Sequence, residues 1–198
     1  MTRHVSLLIF PDVEVLDFAG PFEVFSVAGE VRSPKPFNVV TVAAQDAPVT
    51  AVGGLKVAPQ CNLESAPQAD ILLIPGGKGS RRLLRDQRVL DWVARQAERA
   101  EIVASICTGA LILGKLGLLD GLKATTHQGA IEELRQISER IDIRPQARFI
   151  DNGRILTSGG ISAGIDMSLY LLERLTDAAL VADVVTEMEY DWRMRAAG

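Results

Sequence analysis

Short apolar runs rich in β-branched residues alternate along this chain with longer segments of helical period. The alternation is typical of a parallel sheet with helices on both faces, because each strand of such a sheet is buried on both sides. The predicted strands are residues 5–10, 37–42, 49–52, 55–58, 71–74, 102–106 and 123–126, followed by a hairpin of 147–150 and 154–157. The predicted helices are residues 20–28, which Pro21 begins, 86–99, 108–116, one that starts near 129, 162–174 and 177–192.

Size and composition predict one domain that spans residues 1–198, since domains contain roughly 150 residues. Apolar residues make up 47% and charged residues 23% of the chain, enough for a packed core. No apolar stretch approaches the roughly 20 residues that cross a bilayer. The net charge of −4 gives no attraction for nucleic acid or for anionic lipid. We therefore expect a small-molecule substrate, and neither nucleic acid nor membrane as a partner.

The two cysteines, Cys61 and Cys107, are too few for a disulfide framework. The apolar run at the start of the chain ends at Pro11, which is too short for a signal peptide. These features predict a cytoplasmic protein with free thiols. The few His and Cys residues show no metal-ligand spacing, so no metal and no cofactor are predicted.

Cys107 follows a predicted strand and precedes a predicted helix, with Ser105 two residues before it and Gly109 two residues after it. This spacing is that of a nucleophile elbow, in which a sharp turn presents the central side chain to a site. The start of a helix also favours the thiolate form of a cysteine, so we expect a lowered thiol pKa. The alternative is a small buried side chain without a chemical role.

The strand 71–74 ends in Pro75-Gly76-Gly77-Lys78-Gly79-Ser80. Glycines at such a position allow backbone N–H groups to approach an anion or a developing oxyanion. The glycine spacing is not that of a Walker loop. A plain glycine-rich turn is the alternative interpretation of this segment.

Three further residues are candidates for proton transfer. Asp17 and Glu23 follow the first strand, and a carboxyl group near a cysteine can exchange protons with it. The same residues could instead stabilise the start of a helix. His127 follows the strand 123–126 and could pair with the cysteine or serve only as a structural hydrogen-bonding group, whereas His4 is assigned no role.

Six arginines cluster around the predicted helix 86–99 and are interleaved with acidic residues; they are Arg81, Arg82, Arg85, Arg88, Arg95 and Arg99. We interpret this cluster as a solvated, salt-bridged face and not as a nucleic-acid site.

The motifs together resemble the DJ-1/PfpI superfamily over essentially the whole chain. The matching segments are Phe10-Pro11 with Asp17-x-x-Gly20-Pro21, Ile74-Pro75-Gly76-Gly77, Ser105 to Gly109, Thr125-Thr126-His127, and Ser158 to Asp166. Within the superfamily, the combination of Asp17, Cys107-Thr108 and residues 159–166 is most similar to the isonitrile hydratase branch. Members of that branch add water to an isonitrile to give an N-substituted formamide. The resemblance implies a single-domain, flavodoxin-like α/β fold, like that of class I glutamine amidotransferases, and a homodimer.

The resemblance also implies roles for individual residues. Cys107 is expected to be the nucleophile that forms a thioimidate, and Asp17 its acid/base partner. Thr108 and Ile161 are expected to line the pocket, while the backbone N–H groups of Gly77 and Thr108 stabilise an anion. Apart from the resemblance, the placement of Phe18 and Phe22 near the first predicted helix leads us to expect that they contact the side group of the substrate.

Departures from other branches weigh against other activities. In the protease-like branch a histidine follows the cysteine, and this chain has Thr108 there. The DJ-1 and glyoxalase-like branches use a glutamate where this chain offers Asp17. Two alternatives stay open: a glutathione-independent glyoxalase or deglycase, and a non-enzymatic oxidative-stress sensor based on Cys107. Relatives fused to a helix-turn-helix domain share the motif at 160–166, but the sequence ends at Gly198 without room for such a domain.

Overall fold

The computed structural model describes residues 1–192. Its strands are β1 (Arg3–Leu8), β2 (Phe37–Ala43), β3 (Val49–Thr50), β4 (Lys56–Val57), β5 (Cys61–Asn62), β6 (Ile71–Ile74), β7 (Ile102–Ile106), β8 (Lys123–Ala124), β9 (Asp142–Ile143), β10 (Phe149–Asp151) and β11 (Ile155–Ser158). Its α-helices are α1 (Val15–Val31), α2 (Ser80–Leu83), α3 (Gln87–Arg99), α4 (Ala110–Lys115), α5 (Ile131–Ile137), α6 (Ala163–Leu175) and α7 (Ala178–Glu187). Short 3₁₀ turns occupy Val52–Gly54, Cys107–Gly109 and Gln128–Ala130.

The main sheet has seven strands in the order β10-β11-β7-β6-β1-β2-β5. Neighbouring strands are parallel except for the antiparallel pair β10 and β11. If the five central parallel strands are numbered along the chain, their order is 2-1-3-4-5, which is the flavodoxin-like arrangement. The predicted α/β fold class is therefore confirmed.

Helices cover both faces of the sheet, as the burial of its central strands requires. Every residue of β6 and of β7 is buried, whichever face its side chain points to. Helices α1, α6 and α7 contact one another, and α2 contacts both α3 and α4, which in turn contacts α5. The hydrophobic core accordingly lies in two layers on either side of β1, β6 and β7.

The first helix begins earlier than its proline predicts. The helix α1 starts at Val15, so Pro21 lies inside it and does not begin it. A proline in a helix interior removes one backbone hydrogen bond, at a cost of about 3 kcal/mol. Packing of α1 against β2, α6 and α7 offsets this cost. The longer helix brings Asp17 into its first turn.

Other element predictions are confirmed with shifted bounds. Asp86 caps α3 by accepting the N–H of Val89, and the hairpin of β10 and β11 forms around Gly153. The predicted strand 123–126 shortens to β8, which pairs with β9 outside the main sheet, and β3 pairs only with β4. The helix predicted to run to 192 ends at Glu187. The elements β5, β9 and α2 were not predicted, because each contains only two to four residues.

The arginine cluster forms ion pairs, as expected, but its partners come from other elements. Arg81 pairs with Glu133, Arg82 with Asp12, and Arg88 with Glu64. These ion pairs connect α2 and α3 to neighbouring loops and to α5.

Candidate active site

Cys107 lies at the carboxyl end of β7, where it starts the 3₁₀ turn that leads into α4. Its φ of 55° is rare for a residue with a side chain and costs conformational energy. Backbone contacts hold this conformation: the Cys107 N–H donates to the carbonyl of Gly159 at 3.2 Å, and its carbonyl accepts the Thr126 hydroxyl at 2.8 Å. The turn has the strained strand-to-helix geometry that the spacing around Cys107 predicts.

Asp17 is fully buried in the first turn of α1. Its Oδ2 accepts the backbone N–H of Gly76 at 3.1 Å, while Oδ1 has no hydrogen-bond partner in the described part of the chain. Burial raises the pKa of Asp17 to about 7, because a carboxylate loses its hydration there. The nearby Cys107 thiol and the Gly76 N–H offset part of this rise. The carboxyl group can therefore hold or release a proton near neutral pH.

The thiol of Cys107 has a pKa raised to about 12, first by burial and then by the negative charge of Asp17. Contacts with the N–H and the hydroxyl of Thr108 act in the opposite direction but do not outweigh these two effects. The expectation of a lowered thiol pKa is thus wrong. The start of the short helix stabilises the thiolate, but burial and the negative charge of Asp17 destabilise it more. The thiol is neutral near pH 7 and needs a base to become a nucleophile.

Gly76 allows the strand-end loops to meet at the thiol. A Cβ atom at this position would lie 2.5 Å from the backbone nitrogen of Thr108 and 2.9 Å from Oδ2 of Asp17. Both distances are shorter than real Cβ contacts. Only a glycine therefore fits between Asp17 and the turn that carries Cys107.

The Thr108 hydroxyl organises the loop after β6. Its Oγ1 accepts the Gly77 N–H at 2.9 Å and lies 3.0 Å from the Ser80 hydroxyl. The Gly77 N–H is thus already engaged, and the Thr108 N–H interacts with the Cys107 sulfur. The Thr108 N–H thus stabilises negative charge on the sulfur, while the Gly77 N–H is held by the Thr108 hydroxyl.

A cavity of about 260 Å³ opens onto the thiol. Its lining residues are Glu14, Gly77, Arg81, Cys107, Thr108, His127, Gly129 and Ile161. Thr108 and Ile161 are both among these residues, and Ile161 is 39% exposed.

Sequence reasoning missed Glu14 and Arg81 as parts of this cavity. Glu14 is three residues before Asp17, a spacing that puts two side chains on one face of a helix. Arg81 was assigned to a solvated face, and its ion pair with Glu133 brings it to the mouth of the cavity.

His127 lies beside the thiol cavity but is exposed. Its Nδ1 accepts the N–H of Gly129 at 3.1 Å, so this nitrogen is not available to deprotonate Cys107. A Cβ at Gly160 would lie 2.4 Å from Cδ2 of His127 and 3.1 Å from Sγ of Cys107. A side chain at position 160 would therefore overlap the imidazole of His127 and crowd the sulfur of Cys107.

Glu23 lies apart from the thiol. It is exposed on α1 and lines a different cavity of about 300 Å³, together with Phe18 and Phe22. The expected contact of Phe18 and Phe22 with the substrate side group is not supported, because neither residue lines the cavity at Cys107.

Residues 1–192 contain no group of three or more His, Cys, Asp or Glu side chains that could hold a metal ion. No helix in this part of the chain is both long and apolar enough to cross a membrane.

Residues 3–174 match the model of the DJ-1/PfpI family. The chain belongs to this family. The resemblance seen in the sequence motifs is therefore confirmed, and the flavodoxin-like sheet with a cysteine after β7 is the form that the family takes in this chain.

Relatives within the DJ-1/PfpI family differ in the roles that their names describe. The chain is 36% identical to an isonitrile hydratase from Pseudomonas putida over 190 residues, which cover 96% of this chain and 79% of the relative. It is 26% identical to the HTH-type transcriptional regulator GbdR from Pseudomonas aeruginosa over 193 residues, but spans only 52% of that protein. The crystal structure of a ThiJ/PfpI family protein from Pseudomonas syringae superposes with a TM-score of 0.86 at 29% identity, covering 98% of this chain and 77% of that one.

Proposed function

We propose that this DJ-1/PfpI protein is an isonitrile hydratase that uses Cys107 as nucleophile and Asp17 as acid and base. The observation that carries the proposal is the buried pair of these two side chains at the thiol cavity. The similarity to the isonitrile hydratase from Pseudomonas putida supports the same reaction class.

The first step forms a thioimidate. The neutral thiol transfers its proton to the Asp17 carboxylate as Sγ forms a bond to the terminal carbon of the isonitrile. The same carbon takes the proton back from Asp17, which gives R–N=CH–S–Cys107. The pKa of Asp17, about 7, suits both transfers, because acid/base catalysis is most effective when the pKa lies near the working pH.

The second step releases the product. Water adds to the C=N bond, with its hydroxyl on carbon and a proton on nitrogen. The C–S bond then breaks, the sulfur regains a proton, and the N-substituted formamide leaves. The net change is the addition of one water molecule, without oxidant, reductant or cofactor.

The surroundings of the thiol favour this reaction over its alternatives. Adding a thiol to an isonitrile requires a proton for carbon and no oxyanion site. A glyoxalase reaction passes through oxyanionic species, yet the Gly77 N–H already donates to Thr108. A Cys-His peptidase needs an imidazole base at the thiol, and Nδ1 of His127 accepts from Gly129 instead.

The proposal extends to the protein as a whole: a single-domain, cytoplasmic homodimer that acts on a small molecule without a cofactor. Analytical ultracentrifugation at micromolar concentration tests the dimer, for which a monomeric mass is the contradicting result.

The activity is tested by incubating the purified protein with an aromatic isonitrile and measuring the formamide by chromatography. Cys107→Ala and Asp17→Asn are assayed beside it, and methylglyoxal is offered to each protein in parallel. Formamide from the wild type that disappears with Cys107→Ala supports the proposal. Cys107-dependent loss of methylglyoxal without formamide would support the glyoxalase alternative instead.

A further inference from the structure

Glu14 places an uncompensated carboxylate in the cavity at Cys107. Its backbone N–H is tied to the carbonyl of Gly76 at 3.0 Å, so the position of the residue is set by the same loop that holds Asp17. The side chain is partly exposed and lines the cavity. It has no hydrogen-bonding or cationic partner within residues 1–192.

The other charges around the cavity do not neutralise Glu14. Arg81 is the cationic side chain of the lining, but its Nε and Nη2 donate to Glu133 at 2.8 and 2.5 Å. Asp17 lies behind the thiol and adds negative charge when it is ionised. The start of α1 contributes a partial positive charge of about one half, which offsets Glu14 only in part.

One large aliphatic residue of the cavity lining is reachable from solvent. Ile161 lines the same cavity with a side chain that is 39% exposed. A substrate in this cavity thus meets a reactive sulfur, a carboxylate that lacks a partner, and an aliphatic side chain.

We propose that this cavity selects substrates whose side group carries a positive charge or hydrogen-bond donors, with Glu14 as the residue that binds that group. The reaction class rests on the proposed function, so the substrates would be small cationic or amine-bearing isonitriles. Ile161 contacts the aliphatic part of the side group, and the ammonium or N–H group donates to the carboxylate of Glu14. Anionic side groups are rejected by the same charge.

The proposal is tested first without catalysis, by labelling Cys107 with two small thiol reagents of opposite charge. These are 2-aminoethyl and 2-sulfonatoethyl methanethiosulfonate. After it loses its proton, which Asp17 accepts in the case of Cys107, the sulfur forms a new S–S bond with either reagent as the bond to the sulfonyl sulfur breaks and methanesulfinate leaves. Cys61, which is partly exposed on the edge strand β5 and does not line this cavity, serves as an internal reference. The rate at each cysteine is followed by peptide mass spectrometry.

The expected ratio of cationic to anionic labelling rates is about tenfold higher at Cys107 than at Cys61, a size typical of charged clefts. Glu14→Gln should lower this ratio at Cys107 at least threefold. The matched control is Glu30→Gln, which removes the same charge from the exposed far end of α1. Equal ratios at both cysteines, an unchanged ratio with Glu14→Gln, or no labelling of Cys107 would each overturn the proposal.

A second measurement separates this proposal from the proposed function. 3-(Dimethylamino)propyl isonitrile, cyclohexyl isonitrile and isocyanoacetate provide a cationic, a neutral and an anionic side group. Wild-type kcat/KM should fall in that order, and Glu14→Gln should raise KM for the cationic substrate while leaving the neutral one within twofold. A labelling preference without turnover of any isonitrile would contradict the hydratase function and retain the charge selectivity. Turnover of isonitriles without any charge preference would support the hydratase function and overturn the charge selectivity.

Discussion

The carboxyl of Asp17 raises the pKa of the Cys107 thiol. The two groups thus interact as a buried pair, in which Asp17 is the proposed base and Cys107 carries the proton that it removes. Burial is the larger cause of the raised pKa of each group. In water the two groups would differ in pKa by about 4.6, and both would ionise readily above pH 9. In the protein the pair retains a proton that can move between sulfur, carboxyl and substrate.

Replacing Asp17 by Asn should slow turnover of an isonitrile by about 10² to 10⁴, because the amide cannot accept the thiol proton. The same change should lower the pKa of Cys107, since it removes the negative charge that opposes thiolate formation. The pH dependence of alkylation by iodoacetamide reports this pKa. An unaltered alkylation profile together with undiminished turnover would show that the two side chains are not coupled.

The stability of the protein should fall as the pH rises from about 4 to 7. The pKa of Asp17 is about 7 in the folded chain and about 3.9 in the unfolded chain, so the folded state binds more protons in this range. The contribution lost is on the order of 4 kcal/mol. Urea unfolding of wild type and Asp17→Asn at pH 5 and pH 8 captures about 3 kcal/mol of this loss, because the unfolded carboxyl is already mostly ionised at pH 5. The wild type should lose more stability than the variant between the two pH values, and parallel losses would be evidence against a buried, protonated Asp17.

Thr108→Val should destabilise the loop after β6 by about 1–3 kcal/mol, because it leaves the Gly77 N–H without its acceptor, whereas the Ser80 hydroxyl can still donate to the Gly77 carbonyl at 2.9 Å. Thr108→Ser keeps the oxygen and is the matched control. Thermal unfolding should rank the serine variant close to wild type and the valine variant below both. Equal melting temperatures for serine and valine would mean that the hydroxyl has no structural role.

Gly76→Ala should impair both folding and activity, because the new methyl group would lie 2.5 Å from the Thr108 nitrogen. Overpacking of this kind costs about 1–3 kcal/mol and would push the loop away from Cys107. Gly159→Ala is a control for stability, since a Cβ there meets no atom closer than 3.6 Å. A Gly76→Ala protein as stable and active as wild type would contradict the close packing of the two loops.

The sequence predicts the fold correctly where a hydrophobic pattern is local and recurs along the chain. The burial of β6 and β7 on both faces produces the unbroken apolar runs that predict a parallel sheet. The position of Cys107 followed from the rule that sites lie after the carboxyl ends of such strands. The start of the first helix was mispredicted from Pro21. This proline lies inside α1 because α1 packs against α6 and α7, and a local sequence pattern does not contain these contacts.

Features of the site that depend on tertiary contacts were not predictable. The pKa of Cys107 is set by burial and by Asp17, which is 90 positions away in the sequence, and not by the start of the adjoining helix. The Gly77 N–H donates to the hydroxyl of Thr108, which lies 31 positions further along the chain. Arg81 reaches the cavity because Glu133 of α5 pairs with it. Only Glu14 carried a usable signal, namely its spacing of three residues before Asp17.

The central claim is that Cys107 adds to an isonitrile carbon with proton transfer through Asp17. Intact-protein mass spectrometry after rapid quenching of Asp17→Asn, Cys107→Ala and wild type with an aromatic isonitrile tests it most directly. We expect a thioimidate adduct of one isonitrile mass on Cys107 in the wild type during turnover, slower adduct formation with Asp17→Asn, and no adduct or formamide with Cys107→Ala. Formamide production by Cys107→Ala at the wild-type rate would contradict the account.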